Sequence, residues 1–178
     1  MDYLPLLRKD KLPHIWCEGC GDGIALKAIL RAIENIGLKQ DDIAMVSGIG
    51  CSSRTPGYVD FNTLHTTHGR AITFATGIKL AKPELTVIVV TGDGDATAIG
   101  GNHLIHAARS NADMTVIVND NLGYQSTGGQ YGWTTPQGSK TDSSPYGMFE
   151  PNLMSEGMDV LEILKGAGAT FLARHVSM

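Results

Sequence analysis

The sequence predicts an α/β fold built on a parallel sheet with helices on both faces. The first observation is a run of aliphatic and β-branched residues, LTVIVV over 85–90, which is typical of a strand buried on both faces. The second is a helical repeat and another apolar run, Met114 to Val118, which follow within about 35 residues. Strand, helix and strand in that order make a βαβ unit, which requires a parallel sheet.

The remaining elements are predicted from helical periodicity and from end signals. Apolar residues recur at helical spacing from Ile24 to Ile36, and Gly37 stands where a helix C-cap is expected. The other predicted elements are a buried strand over 44–48, helices over 71–81 and 99–109, and, after a long loop, a helix over 160–167 and a strand over 170–174.

The segment from Asn119 to Glu156 is mostly Gly, Ser, Thr, Pro and Asn and is predicted as a loop. Structureless loops longer than about 15 residues are uncommon in compact domains and are usually functional. We expect residues 1–178 to form a single domain, since that length suffices for one hydrophobic core. Met178 follows the last predicted strand without a capping element, so we also expect the domain to be truncated at its C-terminus.

Composition and charge exclude several classes of protein. Charged residues are 18% of the chain and the net charge is −4, so neither a disordered charged tail nor a nucleic-acid-binding protein is indicated. No apolar run approaches the roughly 18 residues of a membrane span, and the N-terminus lacks a signal-peptide pattern. The three cysteines are an odd number, which argues against a disulfide framework and for a reduced, cytoplasmic setting.

Two short polar motifs follow neighbouring strands of the predicted sheet. Gly92-Asp93-Gly94 comes directly after the 85–90 strand, and Asn119-Asp120-Asn121 comes after the next one. The carboxyl ends of parallel strands meet at one edge of a sheet, so Asp93 and Asn121 are expected to lie close together. A carboxylate, an amide oxygen and a backbone carbonyl are hard oxygen ligands, and diphosphate oxygens and water would complete an octahedron around Mg²⁺.

Each motif alone is also typical of an ordinary turn or a polar strand end, and their joint placement favours the metal site. Two other phosphate-binding patterns are excluded. A dinucleotide-binding G-x-G-x-x-G read from Gly92 would need a glycine where Thr97 stands, and no Gly-Lys-Ser/Thr follows as in a P-loop.

The Gly-Asp-Gly and Asn-Asp-Asn motifs resemble a thiamine diphosphate motif. Four further sequence motifs indicate which family of thiamine enzymes the chain resembles. These motifs are WCEGCGDG over 16–23, SGIGCSSR over 47–54, HTTHGRA over 65–71 and TGGQ over 127–130. Together they resemble the β subunit of 2-oxoacid:ferredoxin oxidoreductases, most closely the 2-oxoglutarate type. The similarity runs from about Trp16 to Arg174, and it implies the thiamine diphosphate-binding fold.

The resemblance implies a role for individual residues. Asp93, Asn121 and the carbonyl of Gly123 would bind Mg²⁺, and Ser126 would point at the reacting carbon. Most relatives read Asn where this chain has Asp120, and often a larger apolar residue at Ser126. The full set of expected cofactor-binding residues is Gly48, Ile49, Gly50, Ser52, His68, Gly92, Asp93, Gly94, Asp95, Asn121, Gly123 and Tyr124.

Two further residues are expected to act on the substrate or on the cofactor. His68 precedes Gly69-Arg70 at a helix start, where an anion would bind, and it is expected to be catalytic together with Ser126. Arg54 is the preferred residue for a substrate carboxylate, because a guanidinium binds a carboxylate through two hydrogen bonds. Lys140 is a weaker candidate for the same role, since it is more simply a solvated surface residue.

Cys17, Cys20 and Cys51 are candidate metal ligands. From spacing alone, an iron–sulfur cluster, a zinc site completed by His14 or His175, and three unrelated buried thiols are all open. The resemblance favours the cluster, because these cysteines match three of the four ligands that similar subunits use for one [4Fe–4S] cluster. In those subunits the fourth cysteine comes from a C-terminal segment beyond the point where this chain ends.

The resemblance implies a CoA-dependent oxidative decarboxylation of a 2-oxoacid to acyl-CoA and CO₂, with electrons passed through the cluster to ferredoxin. It implies a partner, the pyrimidine-binding α subunit or a fused γα subunit, which supplies the glutamate that activates the cofactor. No nucleic-acid or membrane partner is expected. The alternatives are a non-oxidative thiamine decarboxylase subunit, which would not need the cysteines, and a zinc-stabilised α/β binding module without catalysis.

Overall fold

The computed structural model describes residues 3–147 and 156–177. Four strands, β1 to β4, and four α-helices, α1 to α4, follow one another along the chain, with short 3₁₀ turns between them. The strands are Ile43–Ser47 (β1), Asn62–His65 (β2), Thr86–Gly92 (β3) and Thr115–Asn119 (β4), and the helices are Gly21–Ile36 (α1), Ala71–Ala81 (α2), Gly101–Arg109 (α3) and Val160–Gly166 (α4).

The four strands form one parallel sheet in the order β2-β1-β3-β4. Side chains alternate between its two faces, so that Met45 and Ile88 pack on one side, and Val46 and Val89 pack on the other. Helix α1 covers the first face, and α2, α3 and α4 cover the second. The prediction of a parallel sheet with helices on both faces is therefore confirmed.

Most predicted elements are present within a few residues of their expected bounds. Helix α1 ends at Gly37, whose φ of 71° is the left-handed conformation of a glycine C-cap. Helix α3 begins at Gly101, two residues later than expected, because a π-helical turn over Gly94–Ile99 precedes it. Such turns are rare and occur often at functional sites.

Two expectations about strands are wrong. Residues 170–174 form no strand, because they have no neighbouring strand to pair with in the described chain, and Phe171 is 83% exposed. Strand β2 was not expected, because an edge strand with mostly exposed side chains lacks an apolar pattern. Asn62 joins it to the sheet by donating a side-chain hydrogen bond of 3.0 Å to the carbonyl of Ile43. No described helix is long and apolar enough to cross a membrane.

Candidate active site

Asp93 lies at the carboxyl end of β3 and is the centre of the candidate site. Its side chain is 2% exposed. Oδ2 accepts hydrogen bonds from the backbone N–H of Gly123 at 2.9 Å and from the hydroxyl of Thr134 at 2.5 Å. Both donors belong to the loop after β4, so this loop folds back over the end of β3 and encloses the carboxylate.

Asn121 and Gly123 place two more polar atoms beside Asp93. One terminal atom of the Asn121 side-chain amide lies 2.9 Å from the carbonyl oxygen of Gly123 and 3.1 Å from Oδ1 of Asp93. If this atom is the amide nitrogen, it donates to both oxygens. If it is the amide oxygen, it stands about 3 Å from each of the other two oxygens, which is the spacing of adjacent ligands around an octahedral ion with bonds of about 2.1 Å. The arrangement is suited to Mg²⁺.

The electrostatics of Asp93 also favour a bound cation. Burial raises the pKa of this carboxyl, and the charge of Asp120 raises it further, while the hydrogen bonds from Thr134, Asn121 and Gly123 lower it. A buried carboxylate with a raised pKa gains most from a cation that compensates its charge. Among the described residues, no group of three or more His, Cys, Asp and Glu forms a metal site, so the oxygen set at Asp93 is built mainly from amide and carbonyl groups.

Ser52 and Ser53 follow the loop at the end of β1, and both hydroxyls are buried without a hydrogen-bond partner in the described chain. A Cβ placed on Gly92 would stand 3.4 Å from the Ser52 hydroxyl, so this hydroxyl lies beside the end of β3. Buried hydroxyls are almost always hydrogen-bonded, and an unpaired one is costly. The Ser52 hydroxyl fits a ligand oxygen at the same edge as Asp93.

Asp95 holds three loop segments together. Oδ1 accepts from the backbone N–H of Gly69 at 2.7 Å, and Oδ2 accepts from the hydroxyl of Thr91 at 2.9 Å. A Cβ on Gly48 would overlap this carboxylate, so the end of β1 approaches it as closely as glycine allows. Both oxygens of Asp95 thus bind protein groups, and this side chain fastens the Gly69 turn to the end of β3.

Tyr124 and Gly94 form the side of the site nearest the Asp93 turn. A Cβ on Gly94 would stand 2.7 Å from the ring of Tyr124, so the glycine allows the ring to lie directly on the backbone after Asp93. Burial and the nearby charge of Asp93 raise the pKa of the Tyr124 phenol. Tyr124 thus stays protonated and can donate a hydrogen bond in the site.

The other expected site residues are exposed at the same edge of the sheet. His68 lies in the turn before α2, Arg54 in the 3₁₀ turn after β1, and Ser126 in the loop after β4. Ile49 and Gly50 lie between β1 and Cys51, and Ile49 is 42% exposed. Lys140 is exposed as well, in agreement with its reading as a surface residue.

The charge of Arg54 affects His65, the last residue of β2. Burial and the charge of Arg54 lower the pKa of His65. Its Nδ1 lies 2.9 Å from the Ser47 hydroxyl, which in turn donates to the Ser53 carbonyl at 3.0 Å. With the Ser47 proton donated to the Ser53 carbonyl, Nδ1 of His65 can serve as the donor to the Ser47 oxygen.

The three cysteines share one neighbourhood. Burial raises the pKa of Cys20 and Cys51, and the charges of Cys17 and Asp22 raise both further. Among the described residues, no group of three or more His, Cys, Asp and Glu side chains is placed to hold a metal ion.

Asp22 connects the cysteine site to the sheet, and sequence reasoning missed it. It is 7% exposed, and its Oδ1 accepts from the side-chain amide of Asn119 at 2.6 Å. Its Oδ2 accepts from the Cys20 thiol at 3.7 Å. The motif over 16–23 contains Asp22, but only the fold shows that Asn119 of β4 donates a hydrogen bond to it. Thr134 was missed for the same reason.

Comparison with known proteins places this geometry in a family. Residues 48–177 match the family described as thiamine pyrophosphate enzyme, C-terminal TPP binding domain. The chain is 56% identical over 172 residues to the 2-oxoglutarate synthase subunit KorB of Methanothermobacter marburgensis, which covers 97% of this chain and 59% of that protein. It is 45% identical over 159 residues to the 2-oxoglutarate oxidoreductase subunit KorB of Mycobacterium tuberculosis, covering 89% of this chain and 41% of that one.

A solved structure gives the same result. The 2-oxoglutarate:ferredoxin oxidoreductase from Magnetococcus marinus with 2-oxoglutarate, coenzyme A and succinyl-CoA bound superposes with a TM-score of 0.89 at 40% sequence identity. The match covers 96% of this chain and 56% of that one. The chain thus spans 59% of the Methanothermobacter marburgensis relative and 56% of this structure.

Proposed function

The chain belongs to the thiamine pyrophosphate enzymes, among the β subunits of 2-oxoacid:ferredoxin oxidoreductases of the 2-oxoglutarate type, and on this basis we propose its function in detail. It binds thiamine diphosphate through Mg²⁺ and takes part in the CoA-dependent oxidative decarboxylation of a 2-oxoacid, with 2-oxoglutarate as the first choice. Electrons leave through a [4Fe–4S] cluster to ferredoxin. The observation that carries the proposal is the oxygen group of Asp93, Asn121 and Gly123.

These three residues would hold Mg²⁺, through Oδ1 of Asp93, the amide oxygen of Asn121 and the carbonyl of Gly123. The spacing of 2.9 and 3.1 Å around the Asn121 amide supports this assignment. Thr134 and the Gly123 N–H bind Oδ2 of Asp93, while Oδ1 has only a long contact of 3.5 Å from the Asn121 N–H and would face the metal. The chain's own contribution is therefore a carboxylate already oriented before a metal binds.

The diphosphate of the cofactor would lie along the glycine-rich strand ends, where backbone and hydroxyl groups can donate to it. Ser52 offers a buried hydroxyl without a partner in the described chain, and Gly92 leaves room beside it. When bound, thiamine diphosphate supplies a nucleophilic carbon and an electron sink for decarboxylation. Asp95 keeps the loops at Gly48 and Gly69 in place around it.

The substrate would be bound by exposed residues at the same edge. Arg54 is proposed for the distal carboxylate of 2-oxoglutarate, because a fixed positive charge at that place suits a dicarboxylate better than pyruvate. His68 and Ser126 are proposed as the catalytic side chains near the reacting carbon. The relative from Magnetococcus marinus, which carries 2-oxoglutarate and coenzyme A, supports this choice of substrates.

The cysteines are proposed as three ligands of a [4Fe–4S] cluster, with the fourth from outside the 178 residues. A Cβ on Gly21 would overlap the Ser177 side chain, so the described end of the chain lies beside the residue after Cys20. This position supports a fourth ligand from a following segment. Free thiols and a reduced cluster suit the cytoplasm.

The proposed partners are a pyrimidine-binding α subunit, or a fused γα subunit, and ferredoxin. The β-subunit names of the relatives support the first. A thiamine enzyme needs a carboxylate to activate the aminopyrimidine ring, and the partner subunit is proposed to supply it. The chain is thus expected to have no 2-oxoacid activity by itself.

The function is tested on the full-length subunit purified anaerobically with its partner. Calorimetry should show thiamine diphosphate binding with Mg²⁺ and none with excess chelator, and iron and sulfide analysis should give one cluster for each subunit. Cys17→Ser, which changes an exposed cysteine, should lower iron content and ferredoxin reduction while thiamine diphosphate affinity stays the same. Metal-independent cofactor binding, or stoichiometric zinc without iron, would contradict the proposal.

A further inference from the structure

Asp22 is a buried carboxylate that the proposed function does not use. Its 7% exposed side chain lies between the Cys20 thiol and the Asn119 amide, at 3.7 Å and 2.6 Å. Within residues 3–147 and 156–177, no Lys, Arg or His forms an ion pair with it. A buried carboxylate without a cation is unusual and calls for a physical reason.

Two features stabilise a negative charge on Asp22. It stands in the first turn of α1, where the unpaired N–H groups and the helix dipole favour an anion. The Asn119 amide donates to Oδ1 at 2.6 Å. Neither feature brings a full positive charge, so the negative charge beside the Cys20 sulfur is offset only in part.

We propose that Asp22 is a positioning residue that holds the reduction potential of a cluster at Cys17, Cys20 and Cys51 low, and that the hydrogen bond from Asn119 offsets part of its negative charge. The inference rests on the proposed function, since it needs the cluster. Reduction adds one electron to the cluster, and a negative charge a few ångströms away in a buried setting makes that addition less favourable. A low potential is what a donor to ferredoxin requires.

The contact also links the two sites of the protein. Asn119 is the last residue of β4, and Asn121, the proposed Mg²⁺ ligand, follows two positions later. Asp22 therefore couples the loop of Cys17 and Cys20 to the strand end that carries the metal ligand, across 97 positions of sequence.

The test is the midpoint potential of the cluster, measured by electron paramagnetic resonance during a redox titration of the full-length subunit in its complex. Asp22→Asn keeps the shape and removes the charge. We expect the equilibrium constant for one-electron reduction to rise about tenfold, which is about 59 mV. The matched control is Glu18→Gln, which removes an exposed acid between Cys17 and Cys20 and should change the constant less than threefold, since water and salt screen it.

A second variant separates the effect of the Asp22 charge from a general disruption of the cluster site. Asn119→Leu leaves the carboxylate but removes the donor that shares its charge, so the potential should fall. Three outcomes would overturn this inference alone. They are a potential that rises or stays unchanged in Asn119→Leu, a shift in Glu18→Gln equal to that in Asp22→Asn, and an unchanged potential in Asp22→Asn with iron retained. If Asp22→Asn does not retain iron, the midpoint potential of Asn119→Leu decides: a fall supports the inference, and a rise or no change overturns it. Absence of iron and sulfide from the unmutated protein would instead overturn the cluster in the proposed function.

Discussion

The hydroxyl of Thr134 donates a hydrogen bond of 2.5 Å to Oδ2 of Asp93, across 41 positions of sequence. Thr134 is 6% exposed, and its neighbour Thr135 donates to the carbonyl of Leu122 at 2.6 Å. Two consecutive threonines thus fasten the long loop to the end of β3 and to the turn that carries Gly123. The loop is part of the site and not a cover above it.

Thr134→Val should weaken cofactor binding without unfolding the protein. Valine has nearly the same shape, but Asp93 loses a donor that lowers its pKa and orients Oδ2. A lost hydrogen bond to a charged group is worth about 1.5–3 kcal/mol, so the Mg²⁺-dependent affinity for thiamine diphosphate should fall roughly 10-fold to 150-fold. Calorimetry measures this Mg²⁺-dependent affinity. Thr141→Val, in the same loop but bonded to Ser144, should leave the affinity unchanged.

Asp93→Asn should abolish cofactor binding while the cofactor-free protein stays at least as stable. The new amide oxygen can still accept from Gly123 and Thr134, and the amide nitrogen can donate to Asn121. The variant also removes a buried, uncompensated charge. In thermal unfolding, Mg²⁺ and thiamine diphosphate should raise the Tm of the unmutated protein and not that of Asp93→Asn.

Asp120→Asn is the control for Asp93→Asn, because it makes the same charge change one strand away at an exposed position. It should still bind the cofactor. If Asp93→Asn binds thiamine diphosphate as well as Asp120→Asn does, the carboxylate of Asp93 is not a metal ligand.

Cofactor affinity should fall as the pH is lowered. Burial, and then the charge of Asp120, raise the pKa of Asp93 above its ordinary value of 3.8. Below that raised pKa a proton occupies the carboxylate, and each further pH unit should weaken Mg²⁺-dependent binding about tenfold. Binding measured over a falling series of pH values should show this loss, and Asp120→Asn should move it to lower pH. The same sign makes the Asp93 contribution to the stability of the cofactor-free protein largest in acid and lost as pH rises through the raised pKa.

Gly48→Ala should destabilise the protein, because the new methyl group would overlap the carboxylate of Asp95. Overpacking of this kind costs about 1–3 kcal/mol of the free energy of unfolding. Denaturant-induced unfolding measures this loss in the free energy of unfolding. Gly101→Ala, at the start of α3 with open space around its Cα, should be neutral or slightly stabilising. Equal stability of the two variants would mean that the Gly48 backbone can move away from Asp95.

Arg54→Gln should reduce kcat/KM for 2-oxoglutarate, because a charge-assisted contact to the distal carboxylate is lost. The loss of transition-state stabilisation should be on the order of 2–4 kcal/mol. Pyruvate, which lacks that carboxylate, should be affected much less. Steady-state assays of the complete complex with both substrates give the comparison, and Arg31→Gln on the exposed face of α1 is the control. Equal losses with the two substrates would show that Arg54 supports the site without selecting between them.

Elements with strong local signals could be predicted from the sequence. The apolar run over 85–90 had to become a buried strand, and Gly37 had to end a helix, because such patterns are stable in few other settings. Strand β2 and residues 170–174 could not be predicted, because an edge strand depends on having a neighbour to pair with. Pairing is a property of the folded chain and leaves little trace in four or five residues.

The sequence by itself determined which chemical groups stand at the strand ends, since parallel strands deliver the residues that follow them to one edge. Asp93 and Asn121 were brought together in that way. Only the tertiary structure decided which donors surround those groups. Thr134 meets Asp93 across 41 positions, and Asn119 meets Asp22 across 97, and no pattern in the sequence marks either pair. Hydrogen bonds act over about 3 Å, so their partners are chosen by how the loops close and not by spacing along the chain.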